Sequence, residues 1–168
     1  STGIDKYQIG SLGNVKQIAW KNHGSMIATY AQGATDVLCI DPRARGQKPP
    51  LKFNSPDTHH MALDFSGTEL ALTRGGNEVC VFDLRQPSEP AIKHAHSTVG
   101  EGEYTDMNIC MVKDGGEVVA AFNGSSYSEI LTLYNDGTVT SKEYSSPVHA
   151  CLANDVMWTV QAKSIAFE

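Results

Sequence analysis

Two pairs of histidines are the side chains of this chain best suited to bind a metal ion. His59 and His60 are adjacent, and one residue separates His94 from His96. Residues two apart on a β-strand share a face, so His94 and His96 could chelate one ion. No cysteine or carboxylate clusters with them in the sequence, and two histidines alone make an incomplete metal site. We therefore expect this protein to use no metal and no other cofactor.

The serine and glycine residues form no recognisable catalytic or phosphate-binding motif. Ser66, Ser97 and Ser125 all lack the Gly-x-Ser-x-Gly context that exposes a serine nucleophile on a sharp turn. The glycine pairs at 75–76 and 115–116 fall between predicted strands, whereas a phosphate-binding loop opens a helix. The sequence therefore predicts a protein that is not an enzyme and has no catalytic residues.

Charged residues of opposite sign are concentrated in two loops. The basic loop contains Arg43, Arg45 and Lys48, and the acidic segment contains Glu101, Glu103 and Asp106. Complementary charges of this kind can steer a protein partner. Solvated loop surface is the alternative explanation, because exposed charges contribute little by default. The candidate protein contacts from these loops are Arg43, Arg45, Glu101 and Glu103.

Composition excludes several other classes of function. The chain has 168 residues and a net charge of −6, and no broad basic surface is indicated, which argues against nucleic-acid binding. No apolar stretch approaches 18 residues and no secretory leader is recognisable, so we expect an intracellular protein without membrane contact, in the cytoplasm or the nucleus. Four isolated cysteines are expected as reduced core residues: Cys39, Cys80, Cys110 and Cys151.

Short apolar runs separated by Gly, Asn and Pro turns predict an all-β fold. Several of these runs end in a large side chain followed by a short acid or amide, as in Ile40-Asp41, Phe82-Asp83 and Tyr134-Asn135, with Phe167-Glu168 as a plausible fourth. The numbers of residues between the ends of successive runs are close to the roughly 40–45 residues of a propeller blade with four antiparallel strands. A sandwich or barrel gives a similar texture, but the repeated strand order favours a β-propeller.

A single domain over residues 1–168 is predicted, with four units at about 15–53, 59–96, 105–145 and 147–168. Complete propellers have about four to eight blades. Three to four blades leave the ring incomplete in this chain. Either the chain is a piece of a longer propeller, or another chain or a second copy completes the ring. The segment 7–9 could supply the outer strand that the last unit lacks.

Three segments resemble WD-repeat proteins in their inner strand, turn and second strand: residues 18–28, 63–71 and 111–120. Residues 81–85, Val-Phe-Asp-Leu-Arg, are similar to the closing segment of such a repeat. The resemblance covers about residues 15–145, although the sequence contains no Trp-Asp pair. It implies a rigid, non-catalytic scaffold that binds other proteins as a subunit of a larger complex.

Two strands of the predicted repeat end in Asp-x-Arg, at Asp41-Pro42-Arg43 and Asp83-Leu84-Arg85. In the WD-repeat family this ending resembles the docking box by which substrate receptors attach to the propeller adaptor of cullin-RING ubiquitin ligases. Arg43 and Arg85 would then be the interface anchors, because a guanidinium pairs bidentately with carboxylates and carbonyls. Many propellers without a ligase role share the motif. A propeller enzyme or small-ligand binder is a further alternative, which would need titratable residues at the channel mouth.

Overall fold

The computed structural model describes residues 14–20, 26–31, 33–41, 51–64, 68–75, 77–95, 106–111, 117–123, 128–145, 148–153 and 156–161. The strands in these ranges are β1 Val15–Trp20, β2 Ile27–Ala31, β3 Asp36–Ile40, β4 Leu51–Asn54, β5 Thr58–Leu63, β6 Glu69–Arg74, β7 Glu78–Asp83, β8 Ile92–Ala95, β9 Asp106–Met111, β10 Val118–Asn123, β11 Ser128–Leu133, β12 Val139–Tyr144, β13 Val148–Ala153 and β14 Val156–Gln161. Among the described residues there is no helix of the length and apolar character needed to cross a membrane.

The strands form three four-stranded antiparallel sheets in chain order, called sheet 1 (β1–β4), sheet 2 (β5–β8) and sheet 3 (β9–β12). A fourth sheet is described by the pair β13 and β14, called sheet 4. The predicted all-β fold with units of four antiparallel strands is therefore confirmed. Over the described residues these sheets do not close into a ring.

Sheets 1, 2 and 3 stack face to face. Successive residues of a strand point to opposite faces, so a strand of the middle sheet can pack against both neighbouring sheets. In β7, Cys80 and Phe82 join a buried cluster with sheet 1, whereas Val79 and Val81 join a second cluster with sheet 3. Phe82 also packs against Phe53 of β4, with ring centroids 4.7 Å apart. Sheet 2 is consequently covered on both faces, which explains why the middle segments of its central strands, Leu70–Leu72 and Val79–Phe82, are apolar and buried.

The first strands of neighbouring sheets lie side by side, with contacts from β1 to β5, from β5 to β9 and from β9 to β13. Two of these inner strands contain a β-bulge. The register of β1 on β2 shifts at Lys16, and the register of β5 on β6 shifts at His59. Such a bulge flips the alternation of side chains and bends the strand.

Strand boundaries agree with the sequence to within one or two residues for most of the chain, but β5 differs. It begins at Thr58, whereas the apolar alternation predicts a start at Met61. The polar residues Thr58 to His60 conceal the strand because the bulge interrupts the pattern. The predicted strands at 7–9 and 164–167 lie outside the described residues. The single domain and its unit boundaries stay predictions for the same reason.

Candidate functional site

The turns that connect the antiparallel strands lie at the two ends of the strands, and each of these ends is called an edge here. At one edge β5 is followed by β6 and β7 by β8, and this edge is called the Arg85 edge after the residue that follows β7. At the opposite edge β2 is followed by β3 and β4 by β5, and this edge is called the cleft edge. Each edge presents a separate group of polar side chains.

The Asp83 carboxylate holds Arg85 in place at the end of β7. The backbone N–H of Arg85 donates to Asp83 Oδ1 at 2.9 Å, and Nε donates to the same oxygen at 2.8 Å. Arg85 Nη2 donates to Asp83 Oδ2 at 2.6 Å, which makes the side-chain pair bidentate. The Arg85 side chain is nevertheless 73% exposed. Its remaining N–H donors therefore face solvent from a fixed position.

The turn that carries Arg85 is anchored to the core through Leu84 and closed by a local hydrogen bond. Leu84 is buried in the cluster between sheets 1 and 2, and its N–H donates to the carbonyl of Thr68 at 2.8 Å. The N–H of Gln86 donates to the carbonyl of Asp83 at 2.9 Å. Hydrogen bonds from Arg85 lower the pKa of the Asp83 carboxyl to about 2. The pair is thus ionised throughout the physiological range.

Further carboxylates surround this arginine at the Arg85 edge. Asp64 Oδ1 accepts a 2.7 Å hydrogen bond from the backbone N–H of Glu69. Burial raises the pKa of Glu69, as do the nearby charges of Asp64 and Asp83, whereas Arg85 lowers it. The local charge is therefore negative despite the arginine. Among the described residues, no group of three or more histidine, cysteine or carboxylate side chains is arranged to hold a metal ion.

A cleft of about 510 Å³ opens at the cleft edge between sheets 1 and 2. Its titratable lining includes Lys16, Tyr30, Asp57, His59 and His60. Lys16 and His59 are the two bulged residues, so the same backbone irregularity brings both side chains to this edge. The Tyr30 hydroxyl donates to the backbone carbonyl of His59, and burial raises the pKa of that hydroxyl. This contact holds the walls of the cleft together.

Only one of the five predicted interaction residues is described: Arg85, which is exposed as the docking hypothesis requires. Arg43, Arg45, Glu101 and Glu103 lie outside the described residues, as does His96. Described strand ends flank both the basic loop and the acidic segment. The strand end beside the basic loop lies at the edge opposite to those beside the acidic segment. Asp41 follows β3 at the Arg85 edge, whereas Ala95 ends β8 and Asp106 begins β9 at the cleft edge.

Sequence reasoning did not find the cleft, because its lining comes from three separate segments. The polar interruption at residues 58–60 was the only signal of the bulge in β5. The expectation of four core cysteines is confirmed for two of them, since Cys110 is only partly buried and the side chain of Cys151 lies outside the described residues. Cys39 and Cys80 are unpaired and buried, and burial raises the pKa of each thiol to about 12. They are inert core residues and take no part in either edge site.

No protein-family model matches the sequence, and no curated protein matches it. Several solved structures are similar to it in fold. Kluyveromyces lactis Hsv2 superposes with a TM-score of 0.54 and 15% identity, over 77% of this chain and 46% of that chain. The Cps50 (Swd1) β-propeller domain of Myceliophteria thermophila gives a TM-score of 0.56 and 12% identity, over 78% and 39%.

Kuenenia stuttgartiensis hydrazine synthase gives a TM-score of 0.63 at 15% identity, over 88% of this chain and 40% of that chain. This chain thus spans less than half the length of each of these three structures. At such low identity the similarity shows the fold alone, which is that of a partial β-propeller. Since one of these structures is an enzyme, the similarity does not decide between a scaffold and a catalyst.

Proposed function

We propose that this chain is a non-catalytic, WD-repeat-like scaffold that binds other proteins as a subunit of a larger intracellular complex. The observation that carries the proposal is an exposed arginine fixed on a continuous core. Arg85 is clamped by Asp83, and the adjoining Leu84 is buried between sheets 1 and 2. A side chain that is already ordered loses little conformational entropy on binding, so it makes an effective interface anchor.

The surroundings of Arg85 indicate the chemistry of its partner. Asp83 neutralises the guanidinium, and Asp64 and Glu69 make the edge acidic. A partner carboxylate would be repelled there, whereas backbone carbonyls or amide side chains can accept from the free donors of the guanidinium. We therefore propose that Arg85 caps a loop or strand end of the partner. Arg43 would act as a second anchor on the sequence pattern alone.

A sharper form of the proposal is a substrate receptor that docks on the propeller adaptor of cullin-RING ubiquitin ligases. The test is the affinity of the purified chain for that purified adaptor, measured by biolayer interferometry. We expect Arg85→Ala to raise the dissociation constant at least about tenfold, as for a central interface arginine. Lys142→Ala is the matched control, because Lys142 is an exposed cation on β12, far along the chain from this edge.

Absence of binding by the unmodified chain would refute the ligase form of the proposal. The broader scaffold role is tested by quantitative affinity purification from cells. The unmodified chain, Arg85→Ala and Lys142→Ala are each used to capture partners. At least one co-purifying protein must be lost with Arg85→Ala and kept with Lys142→Ala. If no protein shows this pattern, the Arg85 edge is not the binding surface.

A small-ligand binder is a second candidate, because titratable residues do converge on the cleft. Lys16 and His59 are exposed there beside Asp57 and could bind a small anion between them. The probe is inorganic phosphate, titrated into the ¹⁵N-labelled chain and followed by NMR. Saturable shifts confined to residues 16, 30–35 and 56–60 that disappear in Lys16→Ala/His59→Ala would support this role. Unchanged spectra at millimolar phosphate would exclude phosphate as a ligand of the cleft.

A further inference from the structure

The turn between β11 and β12 contains an aspartate followed directly by a glycine, Asp136-Gly137. In such a pair the backbone nitrogen of the glycine can attack the side-chain carboxyl of the aspartate, because glycine has no Cβ to obstruct the approach. Both residues are exposed, so water reaches the turn. A second pair of this kind, Asp114-Gly115, lies outside the described residues. Asp136 is therefore a candidate for a chemical modification that needs no enzyme.

The reaction balances with water as its only co-reactant. The Gly137 nitrogen forms a bond to Cγ of the protonated Asp136 carboxyl, and the amide proton leaves with the carboxyl hydroxyl as a water molecule. The product is a cyclic succinimide. Water then adds to the main-chain carbonyl carbon and breaks the original peptide bond, so Gly137 stays attached through the side-chain carbon of Asp136. The resulting isoaspartate has an unchanged mass and an additional carbon in the main chain.

In the closed turn both reacting groups are held by other partners. The N–H of Gly137 donates to the Tyr134 carbonyl at 2.9 Å, and Asp136 Oδ1 accepts from the N–H of Thr138 at 2.8 Å. The backbone hydrogen bond from Thr138 also lowers the pKa of the Asp136 carboxyl, which reduces the protonated fraction that the reaction requires. The reaction therefore requires the turn to open.

The strand that follows this turn, β12, has few contacts that would keep the turn closed. Over the described residues it pairs with β11 alone, and its residues 140–143 are exposed. Its contacts with the buried clusters come from Val139 on one face and Tyr144 on the other. A strand with few buried contacts opens locally at a lower free energy than the core. Asp136 thus becomes reactive without unfolding of the molecule.

An asparagine in the same sheet provides an internal comparison. Asn123-Gly124 undergoes the amide counterpart of the reaction, in which ammonia leaves instead of water. In an unfolded chain at neutral pH the asparagine reacts first, because aspartate is almost entirely ionised and an ionised carboxylate resists attack. In the fold, Asn123 is 3% exposed and lies on β10, between β9 and β11, where Ser128 Oγ donates to its Oδ1 at 2.6 Å. Burial in a central strand should therefore reverse the order of the two reactions.

We propose that Asp136 is a site of spontaneous isoaspartate formation, reached through opening of the β11–β12 hairpin, and that the fold protects Asn123 from the corresponding reaction. The additional main-chain carbon displaces the Gly137 N–H from the Tyr134 carbonyl, so the hairpin no longer closes in its original geometry. β12 then separates and uncovers the two clusters that Val139 and Tyr144 contact. The modification converts a transient opening of the outer strand into a lasting one.

The test is prolonged incubation of the purified chain at neutral pH, once folded and once in concentrated urea. Peptide mapping by mass spectrometry with electron-transfer dissociation then distinguishes isoaspartate from aspartate at each position. In urea, Asn123 should convert before Asp136. In the folded chain, isoaspartate should accumulate at Asp136 while Asn123 stays unchanged. The proposal is overturned if Asp136 converts in urea but not in the folded chain, or if Asn123 converts first in both samples.

Three variants separate the chemical step from the opening of the hairpin. Val139→Ala removes part of an apolar contact that anchors β12, so it should raise the rate at Asp136 at least about threefold. Gly137→Ala also weakens the hairpin, but its Cβ obstructs the attacking nitrogen, so most of the isoaspartate should be lost. Ser141→Ala is the matched control at an exposed position of β12 and should leave the rate unchanged. An unchanged rate in a folded Val139→Ala variant would mean that the closed turn reacts, which overturns the role of opening.

Discussion

Gln17 uses its side-chain amide as if it were a peptide group of a neighbouring strand. Its Oε1 accepts from the N–H of Met61 at 2.8 Å, and its Nε2 donates to the Met61 carbonyl at 3.3 Å. The bond joins β1 to β5, so it connects sheet 1 to sheet 2 beside their buried cluster. Thr29 Oγ1 in turn donates to the Gln17 carbonyl at 3.1 Å. One polar side chain thereby satisfies both backbone groups of a residue in the next sheet.

Replacing Gln17 should weaken the junction between sheets 1 and 2. Gln17→Leu leaves the N–H and carbonyl of Met61 without their side-chain partner, which costs about 1–3 kcal/mol for buried polar groups. Urea unfolding followed by circular dichroism measures this loss. Lys16→Ala is the control, because this exposed neighbour is expected to change the free energy of unfolding by less than about 0.5 kcal/mol. Equal losses in both variants would contradict the bridging role.

Glu78 is the centre of an ion-pair group on sheet 2. Arg74 Nε donates to Glu78 Oε2, and Lys93 Nζ lies 2.8 Å from Glu78 Oε1. Burial alone would raise the pKa of the Glu78 carboxyl, but hydrogen bonds from Lys93 and Arg74 outweigh burial and lower that pKa below its usual 4.5. A carboxyl with a lowered folded-state pKa stabilises the fold above its unfolded pKa. That contribution is lost as pH falls through the folded value.

We therefore expect Glu78→Gln to be more destabilising at neutral than at acid pH. The loss should be about 1–3 kcal/mol at pH 7, as for a hydrogen bond to a charged group. Below about pH 4.5 the difference from the unmodified chain should shrink progressively, since the native carboxyl also becomes protonated. Urea unfolding at pH 7 and pH 3 measures both values. The exposed Glu143→Gln should show little loss at either pH, and a pH-independent loss for Glu78→Gln would rule out the ionic explanation.

Residue roles were only partly accessible from the sequence. Arg85 could be predicted because Asp-Leu-Arg is a local motif at a strand end. Gln17 could not, because its partner Met61 is 44 residues away and depends on how two sheets stack. His59 was considered only as a metal ligand. The observed contact of His59 is instead through its backbone carbonyl, which any residue could offer.

Among the strands, β11 and β12 form the hairpin that Asn135-Asp136-Gly137 predicts. The N–H of Gly137 donates to the Tyr134 carbonyl at 2.9 Å, and the N–H of Thr138 donates to Asp136 Oδ1 at 2.8 Å. Gly137 has a φ of +83°, in the left-handed region that favours glycine. A Cβ at this position would meet no atom within 4 Å. The requirement for glycine is thus set by the backbone angle and not by space.

Gly137→Ala should consequently destabilise the hairpin by about 1–2 kcal/mol, the usual cost of a left-handed backbone angle for a residue with a Cβ. Gly137→Asn should cost less, since asparagine adopts this region more readily. The shift in urea midpoint for the two variants checks the order. A larger loss with asparagine would indicate crowding and would contradict this explanation.

Strand positions were largely predictable because short apolar runs bounded by turn residues are typical of buried strands. Residues 118–122 are one continuous apolar run in the sequence, and β10 spans Val118–Asn123. The pairing of consecutive strands within one sheet could also be predicted, because short turns connect them. The bulge in β1 was not predictable, because a single extra residue leaves no compositional trace there, and the polar residues 58–60 are the only sign of the bulge in β5. Both bulges lie at the cleft, whose lining includes Lys16 and His59.

For the whole molecule, the protection of backbone amide hydrogens from exchange should follow the stacking of the sheets. Every side chain of β10 is buried, whereas most of β12 is exposed. Amide hydrogens of β6, β7, β10 and β11 should exchange at least about tenfold more slowly than those of β4, β8 and β12, because buried central strands open only with the core. Hydrogen exchange with mass spectrometry measures this order. Equal rates in β10 and β12 would contradict a core shared between sheets.

The stacking order also determines how the chain would respond to tension. Within each described sheet, every strand is hydrogen-bonded to the next strand in the chain, and each sheet is followed by its neighbour in sequence. A force applied to the two ends would therefore open the ladders one bond at a time, as a zipper opens, instead of shearing many bonds together. The sheets would yield individually and at low load. Extension would then proceed in steps of one sheet, each releasing a similar length of polypeptide.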